Sequence, residues 1–206
     1  MRLRPFAYHS IDSLPESLEF LERFGSEVKI LAGGTDLVLA MKEKRALPKH
    51  VLNITGVSEL DFVNLEDGGF RIGALTTHTS ISGHDLIRTR APALAEATGL
   101  IGSWQIRNVA TIGGNLCNAS PAADSAPPLL AYGAQVTVVG TEGETRKSLE
   151  EFFTGPGTTS LKPGQLLKEI AIELPKGRST SCYHKLMRKK AVDLSVVGVA
   201  VMVELD

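Results

Sequence analysis

Residues 110–124 read Ala-Thr-Ile-Gly-Gly-Asn-Leu-Cys-Asn-Ala-Ser-Pro-Ala-Ala-Asp. Small residues dominate this stretch, hydroxyl and amide side chains recur from Thr111 to Ser120, and the stretch ends in the acid Asp124. Small side chains let a flat ligand approach the backbone, while a few hydroxyls and amides fix its orientation. The composition therefore predicts a long loop that forms one wall of a ligand pocket, because a simple connection needs no such run.

A second glycine pair lies near the N-terminus, where Ala-Gly-Gly-Thr-Asp-Leu at 32–37 follows the apolar run Val28–Leu31. Glycine can adopt positive φ, so the N–H groups of such a turn can converge on an anion without help from Lys or Arg. A glycine pair after a strand is more often only a turn. Together, however, the two stretches predict two walls of one pocket for a phosphate and a ring. Neither is a Walker A sequence or a G-x-G-x-x-G fingerprint, which disfavours the usual nucleotide folds.

Composition limits the class of protein. The chain has 206 residues, 43% of them hydrophobic, and a net charge of −1, which suits one large domain or two small ones and gives no basic surface for nucleic acid. No signal-peptide core and no apolar stretch long enough for a membrane span is present, so we expect a cytoplasmic protein. Its two cysteines, Cys117 and Cys182, cannot hold an iron–sulfur cluster.

The sequence offers neither a metal site nor a catalytic triad. His78 and His84 lack companion ligands, so we interpret them as hydrogen-bonded structural histidines. No nucleophile elbow occurs, and hydrolase chemistry therefore has no support.

Hydrophobic periodicity predicts an order of helices and strands. A helix capped by Ser13 is expected to Phe24, followed by further helices at Leu37–Lys42, at Ala91–Thr98 and from Thr79. Strands are predicted at 28–31, 51–54, 70–74, 131–139, 167–174 and 196–203.

Several motifs, in this order, resemble one family. Besides the two glycine stretches they are Phe6-Ala-Tyr8, Ile72-Gly-Ala74, Gln105–Ala110 and Phe153–Gly157. At these residues the chain is similar to the FAD-binding medium subunits of the molybdenum hydroxylases. The resemblance implies an α+β fold of the PCMH-type FAD-binding class, in which two α/β subdomains hold the flavin between them. It implies subdomains at 1–55 and 56–178, with 179–206 beginning a C-terminal domain that is largely absent.

The resemblance also assigns roles to residues. Around the pyrophosphate it places Ala32, Gly33, Gly34, Thr35, Asp36 and Leu37. Asp36 is expected to point away from the phosphates and to cap the following helix through its side chain or backbone, because a carboxylate is repelled by a diphosphate.

The other implied contacts come from four further parts of the chain. Thr111, Gly114 and Asn115 would contact the opposite side of the pyrophosphate or the ribityl chain, and Asp124 would accept hydrogen bonds from flavin hydroxyls. The isoalloxazine ring would lie near Ile101 and Gly102, and Leu167 and Lys185 would close on the flavin. A surface lysine is the alternative interpretation of Lys185.

The implied function is electron transfer. The chain would be the FAD subunit that takes electrons from a two-iron two-sulfur small subunit and delivers them to NAD+ or another acceptor. Substrate would be oxidised on a molybdopterin large subunit, so no catalytic residue is expected in this chain. Two alternatives stay open: a stand-alone flavin oxidoreductase with the same FAD fold, such as the enolpyruvyl-glucosamine reductases, and a non-catalytic flavin-binding or assembly protein.

Overall fold

Alternating strands and helices at the start of the chain build a parallel sheet of three strands. The computed structural model describes residues 3–66, 68–189 and 192–205. The elements of this first unit are β1 (Ala7–Ser10), α1 (Leu14–Phe24), β2 (Val28–Leu31), α2 (Leu37–Lys42) and β3 (His50–Asn53). The strand order is β1-β3-β2, and both pairings are parallel. A 3₁₀ turn at Gly25–Glu27 joins α1 to β2.

A second unit is built on an antiparallel sheet of five strands. Its members are β4 (Val63–Glu66), β5 (Gly69–Gly73), β6 (Gln135–Gly140), β7 (Gly143–Ser148) and β10 (Leu166–Glu173). The order is β4-β5-β10-β6-β7, so β10 occupies the centre although it comes last in sequence. A 3₁₀ turn at Ser58–Leu60 precedes this sheet.

Short helices fill the long connection between β5 and β6 and the one after β7. They are α3 (His78–Gly83), α4 (Asp85–Arg90), α5 (Pro92–Gly99), α6 (Trp104–Arg107), α7 (Ile112–Asn118), α8 (Ala126–Ala131) and α9 (Leu149–Phe152). Most begin with a hydroxyl residue whose side chain accepts a bond from a first-turn amide, as Thr111 does for α7.

Two hairpins complete the described part of the chain. A small one pairs β8 (Phe153–Gly155) with β9 (Thr158–Thr159), and a long one pairs β11 (Arg178–Leu186) with β12 (Val197–Leu205). The long hairpin turns Tyr183 inward, where it is buried. Its outer face carries exposed apolar side chains, namely Val197, Val199, Val201, Val203 and Leu205.

Two apolar clusters form the core. The larger joins the five-stranded sheet to helices α3, α4, α5, α7, α8 and α9. The smaller lies beneath α1, and it joins Leu14 and Leu18 of the first unit to Val139 of β6 and Leu166 of β10. The first unit therefore completes its core with side chains from the second.

Most of the predicted elements are confirmed. Helix α1 with its Ser13 cap, strand β2 and helix α2 have the predicted bounds, and the strands expected at 51–54 and 167–174 are displaced by one residue. The prediction for 131–139 is wrong at its start, because Ala131 ends helix α8 and Gly133, at φ +62°, makes the turn into β6. The fold class, α+β with two α/β units, is confirmed.

No helix in the ranges that the structure describes has both the length and the apolar character needed to cross a bilayer.

Candidate functional site

The first glycine turn presents a row of free amides. Among the residues that the structure describes, none accepts a hydrogen bond from the five N–H groups from Gly33 to Leu37. Gly34 has φ +71°, a left-handed conformation that glycine adopts without strain, and this conformation turns the chain from β2 into α2. A short run of unpaired amides at such a turn is a concave site for an anion.

Asp36 stands at the start of α2 but does not cap it with its carboxylate. Its side chain accepts no bond from the helix, whereas its backbone carbonyl accepts from the N–H of Ala40 at 2.9 Å. The residue is exposed. The backbone part of the prediction is confirmed, and the side chain remains free to point away from an anion.

A cavity of about 570 Å³ opens beside this turn. Its walls come from the end of β2, the turn, one face of α2 and the end of β3. The residues are Leu31, Ala32, Gly33, Gly34, Thr35, Val38, Leu39, Lys42, Asn53 and Thr55. An open cavity with apolar walls and a few polar groups has the character of a small-molecule site.

The second glycine stretch is a helix N-terminus and not the long loop that its composition predicts. Helix α7 begins at Ile112, and the Thr111 hydroxyl caps it by accepting from the Gly114 N–H at 3.1 Å. The N–H groups of Ile112 and Gly113 donate to the carbonyls of Thr76 and Ala74 at 3.0 and 2.9 Å. The first amides of this helix are therefore already paired, and it can meet a ligand only through side chains and its glycine surface.

The first glycine pair lies against the segment that precedes the second one. A Cβ added to Gly33 would lie 2.0 Å from the carbonyl oxygen of Val109 and 2.7 Å from the Cα of Ala110. Both are backbone atoms, so only glycine fits at this position. The free amides of the first unit thus adjoin the chain that leads into α7.

Asp124 is the centre of a buried charged cluster. Its carboxylate accepts from Lys185 Nζ at 2.8 Å and from the Tyr183 hydroxyl at 2.7 Å. The Lys185 side chain is only 1% exposed, so the interpretation as a surface lysine is wrong. Burial and the Asp124 carboxylate raise the pKa of the Tyr183 hydroxyl well above its ordinary value, which keeps that hydroxyl a hydrogen-bond donor.

The polar groups of this cluster can still make further hydrogen bonds to a ligand. Each carboxylate oxygen has two lone pairs, and each Asp124 oxygen uses one of them on Tyr183 or Lys185. Lys185 also donates to the Leu100 carbonyl at 3.4 Å, which leaves its third N–H without an acceptor among the described residues. Ser125, next to Asp124, donates to Asn115 Oδ1 at 2.6 Å and connects the cluster to α7.

Most of the predicted residues therefore form one connected region. Gly33 touches the segment before Thr111, Asn115 is bonded to Ser125, and Lys185 is bonded to Leu100, beside Ile101. Leu167 is different, because its side chain is buried in the larger core cluster on β10.

One further residue, His78, departs from its sequence interpretation. His78 is buried as expected, but neither ring nitrogen has a hydrogen-bond partner in the described ranges. Cys117 is partly accessible as a residue, yet its thiol is enclosed, and burial raises the pKa of Cys117 to about 12. A thiol of this kind is a packing group with little thiolate character.

His78 gives the protein an expected acid sensitivity. Burial, together with the nearby charge of Arg107, lowers the pKa of His78 to about 4. When the pH falls below about 6.5, the ordinary pKa of histidine, His78 is protonated in the unfolded chain but not yet in the folded protein. The free energy of unfolding therefore decreases as the pH falls from about 6.5 toward 4. We expect a loss of about 2 kcal/mol between about pH 7 and about pH 5 from this group alone.

Urea denaturation of His78→Gln measures that contribution. The variant should lose this part of the pH dependence, whereas His184→Gln, which changes an exposed imidazole, should retain it. If the free energy of unfolding of His78→Gln kept the same dependence on pH as the wild type, the acid sensitivity would not come from His78.

Sequence reasoning missed two residues of the site. Tyr183 reaches Asp124 across 59 residues, and nothing local in the sequence indicates that contact. Lys42 lines the cavity one helical turn after Val38, and this i, i+4 spacing on a short helix was a signal that could have identified it.

The amides of the first glycine turn, which have no acceptor among the described residues, suit an anionic group of a ligand. Residues 4–176 match the family described as FAD binding domain in molybdopterin dehydrogenase, and the chain belongs to this family. It is thus an FAD-binding oxidoreductase subunit of the molybdenum hydroxylase class, and its cofactor is FAD.

Named relatives agree with this family. The nicotinate dehydrogenase FAD-subunit of Eubacterium barkeri is 33% identical over 99% of this chain and 70% of the relative. The putative xanthine dehydrogenase FAD-binding subunit of Escherichia coli K12 is 35% identical over 97% of this chain and 69% of the relative. A carbon monoxide dehydrogenase structure from Hydrogenophaga pseudoflava superposes with a TM-score of 0.96 and 32% identity, covering 100% of this chain and 71% of that one.

Proposed function

We propose that this chain relays electrons from iron–sulfur clusters, through FAD, to NAD+ or another acceptor, as part of a multi-subunit molybdenum hydroxylase. The observation that carries the proposal is the row of amides from Gly33 to Leu37, which have no acceptor among the described residues and lie beside the segment that leads into α7. These amides would hold the diphosphate of FAD. Bound FAD supplies the exchange between one-electron and two-electron transfer that such a relay needs.

The chain's own residues would orient and enclose the cofactor. Thr35 and Asn115 would add polar side-chain contacts, and Gly114 would allow close approach to α7. Asp124 has lone pairs for flavin hydroxyls, and Lys185 would place a positive charge beside the ring. Ile101 and Gly102 would lie along that ring, with Leu167 supporting the site from the sheet.

Partners and location belong to the same proposal. The names of the relatives describe FAD subunits and medium chains of dehydrogenases, which supports assembly of this chain with a two-iron two-sulfur small subunit and a molybdopterin large subunit. We place this assembly in the cytoplasm. The division at 1–55, 56–178 and 179–206 is proposed as the functional organisation.

Reconstitution tests the relay directly. The purified chain is loaded with FAD, freed of excess cofactor and mixed anaerobically with a reduced plant-type two-iron two-sulfur ferredoxin. Loss of the visible flavin absorbance, followed by its recovery on addition of NAD+, is the expected result.

Two other results would contradict the proposal. A chain that binds FAD but whose flavin is not reduced by the ferredoxin would be a flavin-binding or assembly protein. A flavin that turns over NADH with a small-molecule acceptor but exchanges no electrons with the ferredoxin would indicate a stand-alone oxidoreductase.

A further inference from the structure

Arg107, at the end of α6, is a buried cation without a carboxylate partner among the residues that the structure describes. Only 8% of the residue is exposed. Its guanidinium donates to the carbonyls of Ile101 and Gly102 at 2.9 and 3.3 Å and lies 4.9 Å from the centroid of the Trp104 ring. Removing a cation from water costs several kcal/mol unless an anion balances it, and carbonyl dipoles and a ring face compensate only in part.

The bonds of Arg107 fix the shape of one turn. Gly102 has φ +49°, and a Cβ there would lie 3.0 Å from the side chain of Ile106. Lys185 holds the preceding carbonyl, that of Leu100. Three consecutive carbonyls are thus held by two cations, one of which, Lys185, is neutralised by Asp124.

The charge of Arg107 acts within the protein interior. It contributes to the depressed pKa of His78, whose imidazole is held neutral beside it. A neutral imidazole carries no negative charge, so His78 supplies no counter-charge to Arg107. Arg107 is bonded to the Ile101–Gly102 turn, which borders the proposed flavin site, so the two phosphates of a bound FAD would help to balance its positive charge.

We propose that Arg107 is a positioning residue of the flavin pocket, which fixes the Ile101–Gly102 turn and supplies a permanent positive charge that FAD balances, most strongly in its reduced form. This inference rests on the proposed FAD site. It goes beyond that site because Arg107 acts on the cofactor through the turn and through its charge, without being one of the contact residues.

The test uses the full chain loaded with FAD and three variants. Arg107→Met removes the charge and the donors, and Arg107→Lys keeps the charge but loses the forked donor geometry. Arg71→Met is the matched control, because Arg71 pairs with Glu66 and Glu169 on the five-stranded sheet. The readouts are the dissociation constant of FAD, the two-electron midpoint potential of the bound flavin and the thermal stability of the apoprotein.

Arg107→Met is expected to bind oxidised FAD at least tenfold more weakly and to lower its midpoint potential. If the variant loses a further factor of ten in its affinity for reduced FAD, the two-electron midpoint potential falls by about 30 mV. Compared with Arg107→Met, Arg107→Lys should restore most of the lost midpoint potential but less of the lost affinity for FAD. Arg71→Met should lose stability while keeping wild-type affinity and potential.

Different failures have different meanings. If Arg107→Met loses only thermal stability, as Arg71→Met does, Arg107 is a structural residue and the inference is wrong while the FAD site stands. If the wild-type chain itself fails to bind FAD, both the inference and the proposed function are overturned.

Discussion

Replacing Gly114 by valine is expected to abolish FAD binding while leaving the fold largely intact. Apart from its chain neighbours and the backbone of its own helix, a Cβ at this position meets, among the described residues, only the Thr111 hydroxyl oxygen at 3.0 Å. The pocket hypothesis gives the remaining open space to the cofactor. We expect the dissociation constant of FAD to rise at least about a hundredfold, which corresponds to roughly 3 kcal/mol. Flavin fluorescence titration of the purified variant measures it.

The neighbouring glycine provides the contrast. A Cβ on Gly113 would lie 2.6 Å from both the Cβ and the carbonyl oxygen of Ala74, so Gly113→Val should damage the fold itself. Gly83→Val controls for the cost of valine in a short helix, because beyond its own helix a Cβ there would meet no atom of the described residues within 4 Å. A Gly114→Val protein that still purified with FAD bound would exclude this helix face from the pocket.

Lys185→Met is expected to lower the free energy of unfolding by about 3–5 kcal/mol, because it leaves the Asp124 carboxylate buried without its cation. Asp124→Asn alone should also be costly, since the Lys185 ammonium then loses its counter-charge. The double variant should cost less than the sum of the two single variants, because neither charge is left unpaired. Urea denaturation of the four apoproteins gives this coupling energy.

An exposed ion pair provides the control for that experiment. Lys49 pairs with Glu27 in the first unit, but 71% of the Lys49 side chain is exposed, so Lys49→Met should cost less than about 1 kcal/mol. Additive effects at Lys185 and Asp124 would show that the two groups act independently. The ion pair between them would then contribute no coupling energy to the stability of the protein.

Local sequence signals were sufficient for much of the fold. The Ser13 cap and the apolar spacing of α1 lie within one helix, and the run Val28–Leu31 ends at a glycine turn, so their bounds followed from neighbouring residues. The sequence also predicted that the two glycine stretches form walls of one pocket. Gly33 lies against Val109, just before the second stretch, and the pocket itself stays a prediction.

The remaining features depend on contacts between distant residues. Residues 110–124 have the composition of a loop, but hydrogen bonds to Ala74 and Thr76 and the Thr111 cap stabilise helix α7 there. The contact between Tyr183 and Asp124 likewise requires the long hairpin to fold over α5 and α8. No local pattern encodes such contacts, because they form only when the second sheet is assembled.

The shared core beneath α1 has a consequence for synthesis of the chain on the ribosome. The first unit ends by Asn53, yet Leu166 of the central strand β10 contributes to its core. The ribosome adds roughly 5–20 residues per second, so strand β10 is synthesised on the order of ten seconds after the first unit. The first glycine turn therefore lies on a completed core only late in translation. We expect FAD to bind after the second sheet has been synthesised.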